Sequence, residues 1–365
     1  MCMKKIIISG GGTGGHIYPA IAIANALKAI DPTIQILFVG ALGKMEMEKV
    51  PRAGYEIIGL PIAGIKRELS VDNISFPFKL TRSLLKARSI IKSFKPDIAI
   101  GVGGFASGPL LMIASLMGIP TLIQEQNSYA GVTNKLLAKR AKAICVAYPN
   151  MDTFFPKSKL KLTGNPVRSD ILSVSHKREQ AYAHFGLQPN HKTLLIIGGS
   201  LGAKTINESI EAGLKMIINS GYQILWQTGK PYFERAKASI SALKTPYAQA
   251  FDFIYEMDLA YALADVVVSR AGALSVSELC LVEKPAILVP FPYASEDHQT
   301  KNAMSLVEQN AALLVKDKNA GEELVQTALR LLQDADKQHE LSKNIKKLAK
   351  PNAAKEIAET VLKLC

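Results

Sequence analysis

Short aliphatic runs recur along the chain, separated by longer stretches in which apolar residues return every three or four positions. Lys5–Ser9, Ile34–Gly40, Ile98–Gly101 and Thr121–Ile123 have the first character, and Ala20–Ile30 and Leu80–Ser93 the second. Runs of the first kind predict strands and stretches of the second kind predict helices. Their strict alternation predicts an α/β protein with a parallel sheet and helices on both faces. The pattern restarts after the loop Gly164-Asn165-Pro166-Val167-Arg168, with strands expected at Thr193–Ile197, Gln223–Gln227, Asp265–Ser269 and Ala286–Val289 and a helix from Lys204 to Ile218. Two doubly wound halves in tandem are therefore expected, divided between residues 163 and 164. The absence of a low-complexity linker favours two closely apposed domains with a cleft between them. A last helical segment, Ala353–Leu364, fits either half.

Residues 98–123 carry no charge and are long enough to span a bilayer. Gly101-Val102-Gly103-Gly104, Gly108-Pro109 and Gly118-Ile119-Pro120 break this stretch into strand, loop, helix and strand, which favours a buried segment. The four cysteines, Cys2, Cys145, Cys280 and Cys365, form no cluster with metal-ligand spacing, so no metal site is expected and reduced thiols are. The first residues lead straight into a strand and a glycine loop without the pattern of a secretory leader, and a cytoplasmic location is expected. A formal charge of +13 favours an anionic partner: nucleic acid, anionic lipid or a phosphorylated substrate. The sequence has no recognisable nucleic-acid-binding motif, which makes nucleic acid the weakest of the three.

Candidate chemistry lies where strands end. Ser9-Gly10-Gly11-Gly12-Thr13-Gly14-Gly15-His16 follows a strand, opens a helix and satisfies GxGxxG through Gly10, Gly12 and Gly15, a loop suited to a phosphate at a helix N-terminus. A dinucleotide site should also place an acidic residue at the end of the second strand. That strand ends in Val39-Gly40-Ala41, which counts against a nicotinamide cofactor. Three more glycine turns, Gly101–Gly104, Gly198-Gly199-Ser200 and Arg270-Ala271-Gly272-Ala273, suit a substrate pair with two diphosphates, although tight turns alone also explain glycine. Glu278 follows the last turn by one to two helical turns, where a carboxylate can accept both hydroxyls of a ribose. His16, in the first turn of a helix, is a candidate base for a sugar hydroxyl or a hydrogen-bond donor to sugar or phosphate. Glu125 is the rival base, with Gln126 and Asn127 beside it. Ile74-Ser75-Phe76-Pro77-Phe78-Lys79-Leu80, followed by Arg82, Lys86, Arg88 and Lys92, fits an amphipathic element on anionic headgroups or a helix packed on the sheet with solvated cations. Asp334-Ala335-Asp336 has the DxD spacing of some metal-dependent glycosyltransferases but lies far from any strand end, and is expected to be a solvated face.

Read in order, GGTGGH, GVGGFASGP, EQN, GNPVR, GGSLGAKTIN, RAGALSVSEL and DHQTKNA resemble the MurG family of bacterial glycosyltransferases, from about residue 5 to residue 310. The resemblance implies a GT-B fold, two Rossmann-like domains facing a cleft, the donor held mainly by the second. It implies metal-independent, inverting transfer of N-acetylglucosamine from UDP-GlcNAc to the C4 hydroxyl of the muramyl sugar in undecaprenyl-linked lipid I, giving lipid II, with no cofactor. By motif match, Ser200, Ile254, Ala273, Leu274, Ser275, Val276, Ser277, Glu278 and Gln299 would contact the nucleotide and diphosphate. Thr13, Gly14, Gly15, Asn127 and Arg168 would complete that site, and Gly14, Gly103 and Gly104 would meet the acceptor diphosphate. The C-terminal segment, about 345–365, would cross back to the first domain, which would dock on the cytoplasmic face of the membrane, with cell-wall synthesis or division proteins as partners. Two departures stand out, Ala271 where serine is usual and Ser275 where threonine is usual. The rivals are another UDP-GlcNAc-using GT-B enzyme, such as a glycolipid glycosyltransferase or a 2-epimerase, and a non-catalytic nucleotide sensor.

Overall fold

The computed structural model describes residues 3–62, 76–172, 174, 176–199 and 201–365, with the side chains of Ser169 and Ser295 left aside. The chain forms two units, Met1–Arg168 with Pro351–Cys365, and Ser169–Lys350. The division falls after Arg168 because Asn165 is tied into the first unit. Its amide donates to the Gln126 carbonyl at 3.0 Å, and its Oδ1 accepts from Gln124 at 3.0 Å.

The first unit is built on seven parallel strands: β1 (Lys5–Ser9), β2 (Gln35–Ala41), β3 (Glu56–Leu60), β4 (Ile98–Gly101), β5 (Thr121–Glu125), β6 (Ala143–Val146) and β7 (Leu160–Leu162). They lie in the order 3-2-1-4-5-6-7, so the chain reverses direction across the sheet between β1 and β4. That reversal opens a crevice at the carboxyl ends of the strands, the usual place for a ligand in such sheets. Both faces are covered, which explains the unbroken apolar strands. Ile6 and Ile8 pack with Ile17, Ile23 and Leu27 of the helix Gly14–Ile30, while Ile7 joins Leu110, Ile123 and Ile144 on the other face. The C-terminal helix Ala353–Leu362 belongs here as well. Its fully buried Ile357 and Val361 are worth roughly 1.5–3 kcal/mol each, and Lys4 Nζ donates to the Leu362 carbonyl at 3.2 Å.

The second unit has six parallel strands: β8 (Thr193–Ile197), β9 (Gln223–Gln227), β10 (Ala248–Phe251), β11 (Val266–Ser269), β12 (Ala286–Leu288) and β13 (Leu313–Leu314). Their order is 10-9-8-11-12-13, again with the reversal at the first strand of the unit. Leu194, Ile196, Trp226, Val266 and Val268 form the strand side of one core, against Ile206, Ile210, Leu214 and Ile217 of the helix Lys204–Asn219. Asp334, the first half of the DxD spacing, caps the helix Ala335–Lys346 by accepting from the Lys337 amide at 2.8 Å. Among the described residues, no helix is long and apolar enough to cross a membrane.

Candidate functional site

In the first unit, the turns after β1, β4 and β5 meet at the switch point. Gly104 lies so near Gly11 that a Cβ there would come within 2.3 Å of the Gly11 carbonyl oxygen, and its φ is +87°. The turn after β1 opens the helix Gly14–Ile30, whose N-cap is Thr13 and whose first residues are Gly14, Gly15 and His16. His16 Nδ1 lies 3.0 Å from the Gly11 carbonyl oxygen. A carbonyl can only accept, so Nδ1 carries a proton, and in the neutral ring the lone pair is then on Nε2. The edge carrying Nε2 faces Gly103, where a Cβ would come within 2.7 Å of that nitrogen.

A carboxylate that the sequence did not single out organises this loop. Glu46, from the helix Glu46–Arg52, accepts from the Gly12 amide at 2.8 Å and from the Ala41 amide at 2.9 Å. Gly11 and Gly40 have no room for a side chain because Glu46 fills it. The group is buried, so it cannot serve as the solvent-facing ribose carboxylate of a dinucleotide site. It takes up the Gly12 amide that such a loop would offer to a pyrophosphate.

Glu125 ends β5 and is only 2% exposed. Its Oε1 accepts from the backbone amide of Asn127 at 3.1 Å and from the Asn127 side chain at 3.4 Å. Its Oε2 accepts from the Gly131 amide at 3.0 Å and from Asn134 Nδ2 at 2.8 Å. Both oxygens are engaged by the loop they close, an arrangement that shapes a turn. Arg168 places its guanidinium 5.6 Å from the centre of the Tyr18 ring.

In the second unit, the helix Ala273–Val282 begins at Gly272 directly after β11 and carries Ala273, Leu274 and Ser275 in its first turn, with no acidic side chain there. Its N-terminal amides carry the partial positive charge of a helix start, which suits an anion. Ser277 Oγ bonds back to the Ala273 carbonyl at 3.0 Å, and Val276 is buried in the core. Glu278 is 8% exposed, and Tyr261 donates its hydroxyl to Oε2 at 3.0 Å, which fixes the direction of the carboxylate. Gln299 accepts from the Phe291 amide at 2.9 Å and so holds the turn after β12. Ile254 is buried in the turn after β10. Ser200 lies outside the described residues, as do Ile74 and Ser75 of the amphipathic segment.

Arg270, in the glycine turn after β11, is anchored through one of its guanidinium nitrogens. Nη1 donates to the Val289 and Pro290 carbonyls and to Asp317, whose other oxygen accepts from Thr205. This buried network ties the ends of β11 and β12 to the first turn of the helix Lys204–Asn219. Its positive charge is matched by Asp317.

Comparison with known proteins agrees with this architecture. Residues 6–146 match the glycosyltransferase family 28 N-terminal domain and residues 193–357 the family's C-terminal domain. The chain is 59% identical over 360 residues to the UDP-N-acetylglucosamine–N-acetylmuramyl-(pentapeptide) pyrophosphoryl-undecaprenol N-acetylglucosamine transferase of Cytophaga hutchinsonii, covering 99% of this chain and 96% of that protein. It is 56% identical over 362 residues to the protein of the same name from Bacteroides fragilis, covering 99% and 95%. The crystal structure of MurG from Acinetobacter baumannii superposes with a TM-score of 0.78 at 30% identity over 99% of both chains. A UDP-GlcNAc 2-epimerase from Neisseria meningitidis, at 18% identity and a TM-score of 0.69 over 99% of this chain and all of that one, shares the fold alone. The two sheets, the two matched domains and the full-length relatives together place the chain in the GT-B glycosyltransferases, and it belongs to family 28, in its MurG branch.

Proposed function

We infer that the protein transfers N-acetylglucosamine from UDP-GlcNAc to the C4 hydroxyl of the muramyl sugar in lipid I, giving lipid II. The observation that carries the reading is Glu278. It is a carboxylate on the second turn of a helix whose N-terminus closes β11, aimed by Tyr261, in a chain more than half identical to transferases of that name over their whole length. In this reading Glu278 accepts the ribose hydroxyls, Ile254 lines the base, and the amides of Ala273, Leu274 and Ser275 meet the diphosphate. By motif match, Ser200, Val276, Ser277 and Gln299 are the further nucleotide and diphosphate contacts of this reading. Within the first unit, Thr13, Gly14, Gly15, Asn127 and Arg168 are the further UDP-GlcNAc contacts that the family's motifs imply, and Gly14, Gly103 and Gly104 receive the acceptor diphosphate.

The chemistry follows from these groups. The C4 oxygen forms a bond to the anomeric carbon as the bond from that carbon to UDP breaks, on the opposite face, which inverts the centre. The hydroxyl proton passes to His16 Nε2. The charge that grows on the departing UDP is met by helix-terminal amides already pointing at it, which need no reorganisation during the reaction. Glu125 keeps the loop Gln126–Asn134 in shape.

Docking on the cytoplasmic face of an anionic membrane is supported by the helix Phe76–Phe94, where Phe78 is 73% and Leu85 63% exposed among Lys79, Arg82, Lys86, Arg88 and Lys92. Leu116, at the end of the neighbouring helix Ser107–Leu116, is exposed as well. Apolar anchors beside cations bind such surfaces by burial and by charge together.

The decisive assay measures UDP release with and without a lipid I analogue, in EDTA, with linkage analysis of the product. Strictly acceptor-dependent release giving a β-1,4 disaccharide is expected, at an unchanged rate in the chelator. Sugar interconversion without acceptor would turn the reading to an epimerase, and tight UDP-GlcNAc binding without turnover to a sensor. For the nucleotide, Tyr261→Phe should weaken UDP binding about fivefold, the worth of one modest hydrogen bond of about 1 kcal/mol to a buried carboxylate. The same substitution should leave 2′-deoxy-UDP less affected, and equal losses for both nucleotides would remove Glu278 from the ribose.

A further inference from the structure

β9 ends in Trp226-Gln227, and the strand's alternation sends these two side chains to opposite faces. Trp226 donates to Asn207 Oδ1 at 3.0 Å inside the core. Gln227, 3% exposed, reaches the other way and bridges two turns. Its Nε2 donates to the Gly199 carbonyl at 3.1 Å, in the glycine turn after β8, and its Oε1 accepts from the Ile254 amide at 3.0 Å, in the turn after β10. The Gly199 carbonyl also accepts from the Gly202 amide at 3.0 Å. Both of its lone pairs are therefore engaged, and its negative end is held off any anion in the crevice. The backbones leave no slack here, because a Cβ on Gly202 would lie 2.1 Å from the Thr228 carbonyl oxygen, and Gly202 and Gly229 can pack together only as glycines.

We propose that Gln227 is a positioning residue for the nucleotide: one buried amide sets the Gly199 turn that meets the diphosphate and the Ile254 turn that meets the base, so phosphate and base recognition are aligned by a single side chain. The proposal rests on the reading of the second unit as the donor unit. A side-chain amide can donate to a carbonyl on one side and accept from an N–H on the other. Glutamate keeps the Ile254 bond, loses the donor and sets a carboxylate against the Gly199 carbonyl. Methionine keeps the length and loses both bonds.

The test uses the full chain, with UDP-GlcNAc, a lipid I analogue, UDP and uridine as probes, after thermal melts establish that each variant is folded. Gln227→Glu is expected to raise the KM for UDP-GlcNAc about tenfold or more, with the acceptor KM within about twofold, and to weaken UDP while leaving uridine nearly unchanged. Gln227→Met is expected to weaken UDP and uridine together. A merely structural role would lower the amount of active enzyme and leave both KM values alone, and that result would overturn the proposal, as would a donor KM within twofold of wild type in folded Gln227→Glu. Should Gln227→Met not fold, Gln227→Glu decides by itself through the split between UDP and uridine. Failure of the wild-type protein to bind UDP at all would instead overturn the donor-unit reading beneath it.

Discussion

Alanine at position 16 is expected to lower kcat/KM for acceptor-dependent UDP release by about 10²–10⁴-fold, the usual worth of a positioned general base. UDP binding to the enzyme should change little. The Nδ1–H bond to the Gly11 carbonyl holds the imidazole in the tautomer whose Nε2 can take a proton, and the glycine turn that makes this bond is held by Glu46. A base must be unprotonated, so the wild-type pH–rate profile should show an acid limb. The His16→Ala variant should lose that acid limb while keeping its residual rate. Gly103→Ala offers a second check, read together with the acceptor KM because Gly103 also meets the acceptor diphosphate in this reading. Its added methyl would lie 2.5 Å from His16 Cδ2 at a φ of +102°, so the ring must move, and the variant should share the kinetic defect without touching the imidazole's chemistry. A His16→Ala enzyme with wild-type rate and an unaltered pH profile would end the base assignment and leave the acceptor's own groups or a water relay to carry the proton.

The parts of this site that were legible in the sequence are those encoded locally. β1, β4, β8 and β9 run over the residues expected from their aliphatic stretches, and the glycine turns that follow them mark the carboxyl ends of the sheets. β3, β6, β7, β10 and β13, of two to five residues each, carry too little pattern to be seen before their partners are known. The helix expected from Ala20 begins at Gly14, because its first turns are glycines and contain Pro19, residues that read as loop until the sheet fixes the chain's direction. The supporting residues were not legible at all, for a physical reason. Glu46 reaches Gly12 across 34 positions, Gln227 reaches Gly199 across 28, and Tyr261 reaches Glu278 across 17. Each is defined by a partner brought near by the parallel crossover, and a lone Glu, Gln or Tyr carries no spacing that announces it. The same holds for Glu125. Its position beside a strand end suggests chemistry, whereas its hydrogen bonds to Asn127, Gly131 and Asn134 become apparent only in three dimensions.

Glu125 gives the second large effect, and its two readings predict different experiments. Glu125→Ala removes the acceptor of two backbone amides and two side-chain amides in a buried place. A fully buried donor left without a partner costs about 1–3 kcal/mol; only the Asn134 bond is fully buried and water can reach the other three donors, so the first unit should lose roughly 2–5 kcal/mol of stability in denaturant titration. Activity should fall by two orders of magnitude or more as the loop from Gln126 to Asn134 loses its shape. Glu125→Gln separates the roles. The amide keeps one acceptor oxygen but turns an NH2 toward donors that were satisfied by a carboxylate, so a loop anchor should lose stability and rate together while the shape of the pH profile is retained. Glu125→Asp, which keeps the charge and shortens the reach, should recover part of the stability and part of the rate in parallel. If Glu125 were the base, Glu125→Gln would melt like wild type, lose the acid limb of the profile and leave the loop intact. That pattern would transfer the proton from His16 to Glu125 and reduce the imidazole to a hydrogen-bond donor.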